Sequence, residues 1–181
     1  ALALRQKQPS AIQIGATVRT SSQKGSADIH VLSLNETDEA GHFGSLIAGV
    51  MNVHSRGEVK FDSVSGTGVA MFNSLSDERD REAMREAVRF TYNLACSQSV
   101  NNIAHSLLSD SIGTSAQWIG DASDTEIDDW ALQQVGAYSH AAGSCAMGNS
   151  GDEMAVVNER AEVIGYQHLW LCDTSIFPTL P

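Results

Sequence analysis

The sequence predicts an α+β fold, a mixed or antiparallel sheet with packed helices. Three observations predict it. Short runs between Ile12 and Phe72 alternate apolar and polar side chains, the pattern of half-buried strands. A long helical period follows Asp77, and a second helix opens at Ser123. Strands come first and helices after, without the regular alternation of a doubly wound sheet.

Each element has its own signal. Residues 5 to 26 are polar, with Ile12, Ile14 and Val18 suited to a short strand. From Ala27 to Leu34, Ile29 and Val31 alternate against Asp28, His30 and Ser33. An acidic loop is expected over 35 to 42. Phe43 to Val53 is apolar and fits either a strand or a buried helix. Ser55-Arg56-Gly57 reads as a turn, and Glu58 to Asp62 as a half-exposed antiparallel strand. Gly66 and Gly68 precede another strand over Val69 to Phe72. A helix is expected from about 77 to 96, capped by Ser76 or Asp77, with Asp77, Glu78 and Asp80 favoured by its dipole. Its inward stripe reads Met84, Ala87, Val88, Thr91, Leu94 and Ala95. Asp77–Arg81, Glu82–Arg85 and Glu86–Arg89 stand at ion-pair spacing. Ser123-Asp124-Thr125-Glu126 fits a capping box, with Ile127, Trp130, Ala131 and Gln134 inward and an end near Gly136. Leu169 to Cys172 has the length and character of a strand buried on both faces.

Composition sets limits. The 181 residues make one ordinary domain's worth of chain, 42% hydrophobic and 18% charged, enough for a packed core. Lys plus Arg is 11 and Asp plus Glu is 22, a net charge of −11 that argues against a nucleic-acid or basic membrane-surface protein. No apolar run is long enough to span a membrane. No signal peptide is visible, and the three cysteines form no CxxC, so a cytoplasmic, reducing location is expected. No Lys or Arg lies between Arg89 and Arg160, and the acidic residues there read as a solvated face. The stretches Leu34–Val53 and Ser109–Asp129 are expected to shape a pocket or its mouth, and acidic residues with Trp118 would suit a sugar or polyol.

Four features bear on chemistry. His140 follows a helix end among Ala, Gly and Ser, which leaves room for a large group and a proton acceptor near neutral pH. A lone loop histidine is more often a plain surface residue. Asp173 ends an apolar run, where ligands gather in open sheets, or simply starts a turn or caps a helix. Cys145 with His140 would make a thiol nucleophile, but no third partner is placed, and a cysteine among Ala and Met is more often buried. His30, His42, His54, His105 and His168 show neither i,i+4 pairing nor HExxH, so no metal site is expected.

The end of the chain goes further. His140-x-x-Gly143-Ser144-Cys145-x-Met147-Gly148 is followed by Ala155-Val156-Val157-Asn158, then Val163-x-Gly165, then Leu169-x-x-x-Asp173-x-Ser175-Ile176-Phe177-Pro178. In order and spacing this resembles the C-terminal segment of the glucose–methanol–choline (GMC) flavoprotein oxidoreductases. Val53-His54-Ser55-Arg56-Gly57-Glu58-Val59 resembles a strand of that family's substrate domain, with His54 at the usual Pro. Asn73 and the helix after Asp77 also fall where that domain has an Asn and a helix. Ser144 replaces the usual Thr, and Asn158 the usual Asp.

The resemblance implies a division into a substrate-domain region over 1–136 and a catalytic segment over 137–181 that returns as a strand into a separate FAD-binding fold. It implies oxidation of an alcohol or sugar, with His140 as the base that takes the hydroxyl proton while hydride goes to flavin N5. It implies FAD contacts at Asp173 and Thr174. The glycine-rich dinucleotide fingerprint G-x-G-x-x-G is absent from the sequence, so the FAD is expected to be held mainly by a second polypeptide carrying the N-terminal FAD-binding fold. A second catalytic His or Asn is expected beyond Pro181. The alternatives are a hydroxynitrile-lyase-type relative and a non-catalytic accessory module.

Overall fold

The computed structural model describes residues 12–18, 28–34, 44–136, 140–149 and 151–179. The expected acidic loop over 35–42, His42, the polar N-terminal stretch outside 12–18 and Tyr138-Ser139 lie outside the described residues. The chain divides into two compact units, Ala1–His54 with Leu75–Val135, and Ser55–Ser74 with Gly136–Pro181.

The first unit carries an antiparallel sheet in the order β1-β2-β3, formed by β1 (Ile12–Val18), β2 (Ile29–Leu34) and β3 (Ser45–Val50). β2 and β3 pair without a slip from Ile29↔Val50 to Leu34↔Ser45. The ambiguous apolar run after Phe43 is therefore a strand. Alternation along β2 puts Ile29 and Val31 on the face that meets Ala87, with Ala48 and Met84 around them. Asp28, expected on the polar side, is instead buried, and its carbonyl accepts the Met51 N–H at 2.7 Å.

Across the sheet lies α1 (Glu78–Ala95), capped by Asp77, whose carboxylate accepts the Arg79 N–H. Its buried stripe is Asp80, Ala83, Ala87 and Val88. That stripe starts a turn earlier than expected, and Leu94 is exposed. Ala87 has no bulk beyond Cβ, so it lets Ile29 and Val31 of the sheet come close. Asp80 is the unexpected member: only 2% exposed, its two carboxylate oxygens accept the His54 N–H at 2.9 and 3.1 Å. A short helix, α2 (Gln98–Asn101), follows.

The other face of α1 meets a 3₁₀ turn, Ala116–Gly120, and α3 (Asp124–Gln134). Val88, Ala116, Ile119 and Ile127 form the core there, with Trp118 and Trp130 meeting edge to face at 5.8 Å. The capping box at Ser123 and Glu126 is complete. Gln134, expected inward, is exposed. Trp118 packs against the core and donates its indole N–H to Ser109, so its ring is committed to structure rather than held out as a sugar platform.

The closest ion pairs of Arg81, Arg85 and Arg89 are not the ones expected. Arg81 and Arg85 both close on Glu78; Arg85 also reaches Asp128 at 2.7 Å, and Arg89 reaches Asp124 at 2.8 Å. The acidic stretch is thus partly neutralised by a basic row on the neighbouring helix. Arg85 and Asp128 are mostly buried, which gives that pair more weight than the exposed ones.

In the second unit, β4 (Glu58–Asp62) and β5 (Thr67–Met71) form an antiparallel hairpin from Glu58↔Met71 to Asp62↔Thr67. Asp62 ties its turn by accepting the Val64 and Ser65 N–H groups, and Gly66 takes the left-handed conformation that closes it. Gly57 has a steric reason: a Cβ there would stand 2.2 Å from the Met71 carbonyl oxygen. The Asn73 side chain donates to the Arg56 carbonyl at 3.2 Å and joins the two ends of the hairpin. No helix among the described residues is long and apolar enough to cross a membrane.

Two outcomes are expected for the first unit. Asp80→Ala removes a charged acceptor from a buried N–H and lowers stability by about 2 kcal/mol, read by chemical denaturation. The second concerns acid. The Arg85 and Arg81 guanidinium groups hold the Glu78 carboxyl below its usual range, and the Ser123 hydroxyl and N–H do the same for Glu126. A depressed carboxylate stabilises the fold above the unfolded Glu value of about 4.3 and loses that contribution as pH falls below it. The thermal midpoint should therefore drop as acid is added below that value. Glu126→Gln keeps the capping geometry without titrating, and should drop less steeply.

Candidate functional site

The described residues from His140 to Thr179 have almost no regular secondary structure, yet their backbone is extensively bonded. Gly143 N–H donates to the Thr174 carbonyl at 3.2 Å, Cys145 N–H to Ser175 at 2.9 Å, and Met147 N–H to Ile176 at 2.9 Å. Met147 also pairs with Val157, which pairs with Val163, and Glu162 pairs with Trp170. Val157, fully buried, stands at the middle of this web.

The sequence explains how the segments close up. Gly143 has φ +81°, and an added Cβ would stand 3.1 Å from the Phe177 carbonyl oxygen. At Gly148 a Cβ would press on Ala155 at 2.9 Å. Asn158 accepts the Arg160 and Glu162 N–H groups at 2.9 and 3.1 Å and so turns the chain back on itself. Nothing in that role requires a charge, which is why Asn can stand where the GMC pattern has Asp.

The ladder brings His140 and the Asp173–Thr174 pair into one bonded structure. His140 is exposed, three positions before Gly143. The Thr174 hydroxyl donates to the Ala141 carbonyl at 3.4 Å, next to His140. Asp173 is exposed and caps a single 3₁₀ turn, Thr174–Ile176, by accepting the Ser175 N–H at 2.8 Å. The Ser175 hydroxyl and N–H hold the Asp173 carboxyl below the ordinary range, so it is charged at neutral pH. The site can therefore offer an imidazole, a carboxylate and a hydroxyl to solvent from two tied segments. Among the described residues no cluster of His, Cys, Asp and Glu is arranged to hold a metal.

One expectation is corrected here. Leu169–Cys172 is not a strand buried on both faces: only Trp170 pairs, with Glu162, and Leu169 and Trp170 are 44% and 53% exposed. A run needs a neighbouring strand on at least one full edge to be buried that way, and no described strand lies beside it. Cys145 is half-buried, in keeping with the plainer reading of a cysteine among Ala and Met. The cap that Asp173 places on the turn is the plainer of the two readings its position allows. Asn158→Ala strips the acceptor from two N–H groups and should cost about 1–2 kcal/mol by chemical denaturation, while Asn158→Asp stays close to the parent.

Comparison with known proteins agrees with this geometry. Residues 53–181 match the family model described as GMC oxidoreductase. The chain is 32% identical over 143 residues to the oxygen-dependent choline dehydrogenase of Vibrio vulnificus, a match covering 78% of this chain and 24% of that protein. It is 32% identical over 144 residues to glucose methanol choline oxidoreductase atC of Aspergillus terreus, covering 78% and 22%. The crystal structure of pyridoxine 4-oxidase from Mesorbium loti superposes with a TM-score of 0.73 at 25% identity, over 92% of this chain and 33% of that one. The chain spans about a quarter of the length of the curated relatives it matches. With the motif order, the bonded ladder and these matches in agreement, the chain belongs to the GMC oxidoreductase family and corresponds to its C-terminal portion.

Proposed function

We propose that this chain is the C-terminal part of an FAD-dependent oxidoreductase that converts a small-molecule alcohol to a carbonyl, with His140 as the base. FAD dependence is a property of the family. The residues present fit part of such a cofactor's site. Asp173 offers acceptors for cofactor hydroxyls, Thr174 a further hydroxyl, and both are exposed on a segment bonded to the His140 loop. They do not supply the phosphate cradle, since no G-x-G-x-x-G occurs in the sequence. That part is assigned to polypeptide outside these residues, on a second chain or the same one.

When bound, FAD supplies the two-electron acceptor. His140 accepts the hydroxyl proton through its imidazole, which raises electron density on the alcohol oxygen and makes loss of the carbon-bound hydrogen easier. Asp173 and Thr174 orient the cofactor. The observation that carries the reading is the ladder at Gly143, Cys145 and Met147, which ties an exposed imidazole to the segment that bears the expected cofactor contacts. Choline and pyridoxine, named for two of the similar proteins, both carry a primary hydroxyl, which supports the substrate class.

In the full-length protein with FAD bound, His140→Ala should lower kcat for an alcohol by about 10²-fold or more while flavin stays bound. Unchanged turnover would overturn the assignment. The same assay separates the lyase alternative, because flavin absorbance then stays constant when substrate is added.

A further inference from the structure

We infer that Asp173 is a positioning residue for His140, acting through the cap it places on the turn Thr174–Ile176. This rests on the proposed role of His140 and is separate from any contact Asp173 makes with cofactor. The argument is one of connectivity. The three carbonyls that receive the His140 segment are those of Thr174, Ser175 and Ile176. These are the three residues of the 3₁₀ turn that Asp173 caps. A single turn of this kind has little stability of its own, because its hydrogen-bond geometry is poor and runs of it are short.

Two bonds start the turn, and both come from Asp173. Its side chain accepts the Ser175 N–H at 2.8 Å, and its carbonyl accepts the Ile176 N–H at 3.2 Å. Substitution removes only the first. Without it, the direction of the Thr174 and Ser175 carbonyls is no longer set, and Gly143 and Cys145 lose fixed acceptors. The Thr174 hydroxyl, which reaches the Ala141 carbonyl, loses its place as well. His140 adjoins Ala141, so its ring then samples a wider range of positions. A general base misplaced by about 1 Å can lose on the order of 10²-fold in rate.

The cap and the charge can be separated chemically. Asn caps as well as Asp does but carries no charge, and Ala does neither. The test compares Asp173→Asn with Asp173→Ala in the full-length protein. Amide hydrogen exchange at Gly143, Cys145 and Met147 is the first readout, since it needs no turnover. FAD affinity and the pH profile of kcat are the second and third.

Asp173→Ala should speed exchange at these amides by about tenfold or more, lower kcat by a similar factor at saturating FAD, and move the pH profile. Asp173→Asn should keep parental exchange and pH profile, while any loss appears in FAD affinity. Parental exchange in Asp173→Ala would overturn the inference. Should Asp173→Ala fail to fold, Asp173→Glu takes its place: it keeps the charge on a longer side chain that does not cap, so exchange should rise by about tenfold, and parental exchange would overturn the inference. Failure of the His140 assignment itself would appear separately, as unchanged turnover in His140→Ala, with the exchange results unaffected.

Discussion

Backbone polar groups must be satisfied, and in the C-terminal forty or so residues that requirement shapes the structure. Among the described residues there, no helix is longer than a single turn to satisfy them locally. They are satisfied between segments instead: Gly143, Cys145 and Met147 on the 174–176 carbonyls, Gly148 on Val157, Ile164 on Val156, Leu171 on Ala161. Each bond joins residues distant in sequence, so the web holds only if every turn within it is placed correctly. The turns are placed by short polar side chains, Asp173 and Asn158, and by residues with positive φ at Gly143, Ala161, Gly165 and His168. This explains why a segment without regular structure still presents its imidazole from a defined backbone.

The first unit meets the same requirement in another way. Its sheet and helices satisfy their own backbones, and what remains is charge. One carboxylate, Asp80, is taken into the core and matched to a backbone N–H on the strand side of α1. The rest of the charge is organised as an arginine row facing acidic residues: Glu78 before it, Asp124 and Asp128 across from it. A chain of net charge −11 would gain from spreading its acids apart. In the first unit several are instead used as caps and turn acceptors, at Asp77, Asp110 and Glu126, where an anion meets N–H groups that need a partner.

What was legible in the sequence follows from how local each signal is. The capping box at Ser123 and the start of α1 at Asp77 were readable because cap, dipole and stripe lie within a few residues of each other. The alternation of β2 was readable for the same reason. The buried carboxylate was not, because Asp80 sits where a solvated first-turn acid is equally at home, and only the approach of His54 from elsewhere in the chain decides between them. Nor was the lower end of α1: periodicity says which residues share a face, not how far along the helix its neighbours extend. Leu169–Cys172 failed likewise, since an apolar run shows strand character whether or not an edge lies beside it. The site was legible mainly through the order and spacing of its motifs, and its bonding was not legible at all.

The structure also separates the residues of the family pattern by what they do. Gly143 supplies a left-handed φ and a close approach, Gly148 room beside Ala155, Val157 a buried centre, and Asn158 an acceptor for two N–H groups. Each of these is accounted for by folding alone. The ladder itself runs on the backbone of Gly143, Cys145 and Met147 and on the carbonyl of Ala141, and those bonds do not involve the His140 ring. The backbone around His140 is thus specified by main-chain bonds, and the base role proposed for its ring is a separate demand on the same segment. Asp173 stands between the two groups. One part of its acceptor capacity serves the turn, and a carboxylate has more than one N–H can use. A residue so divided can be tuned for binding only within the limits that its structural bond allows, which is a stricter condition than applies to His140 or to Asn158.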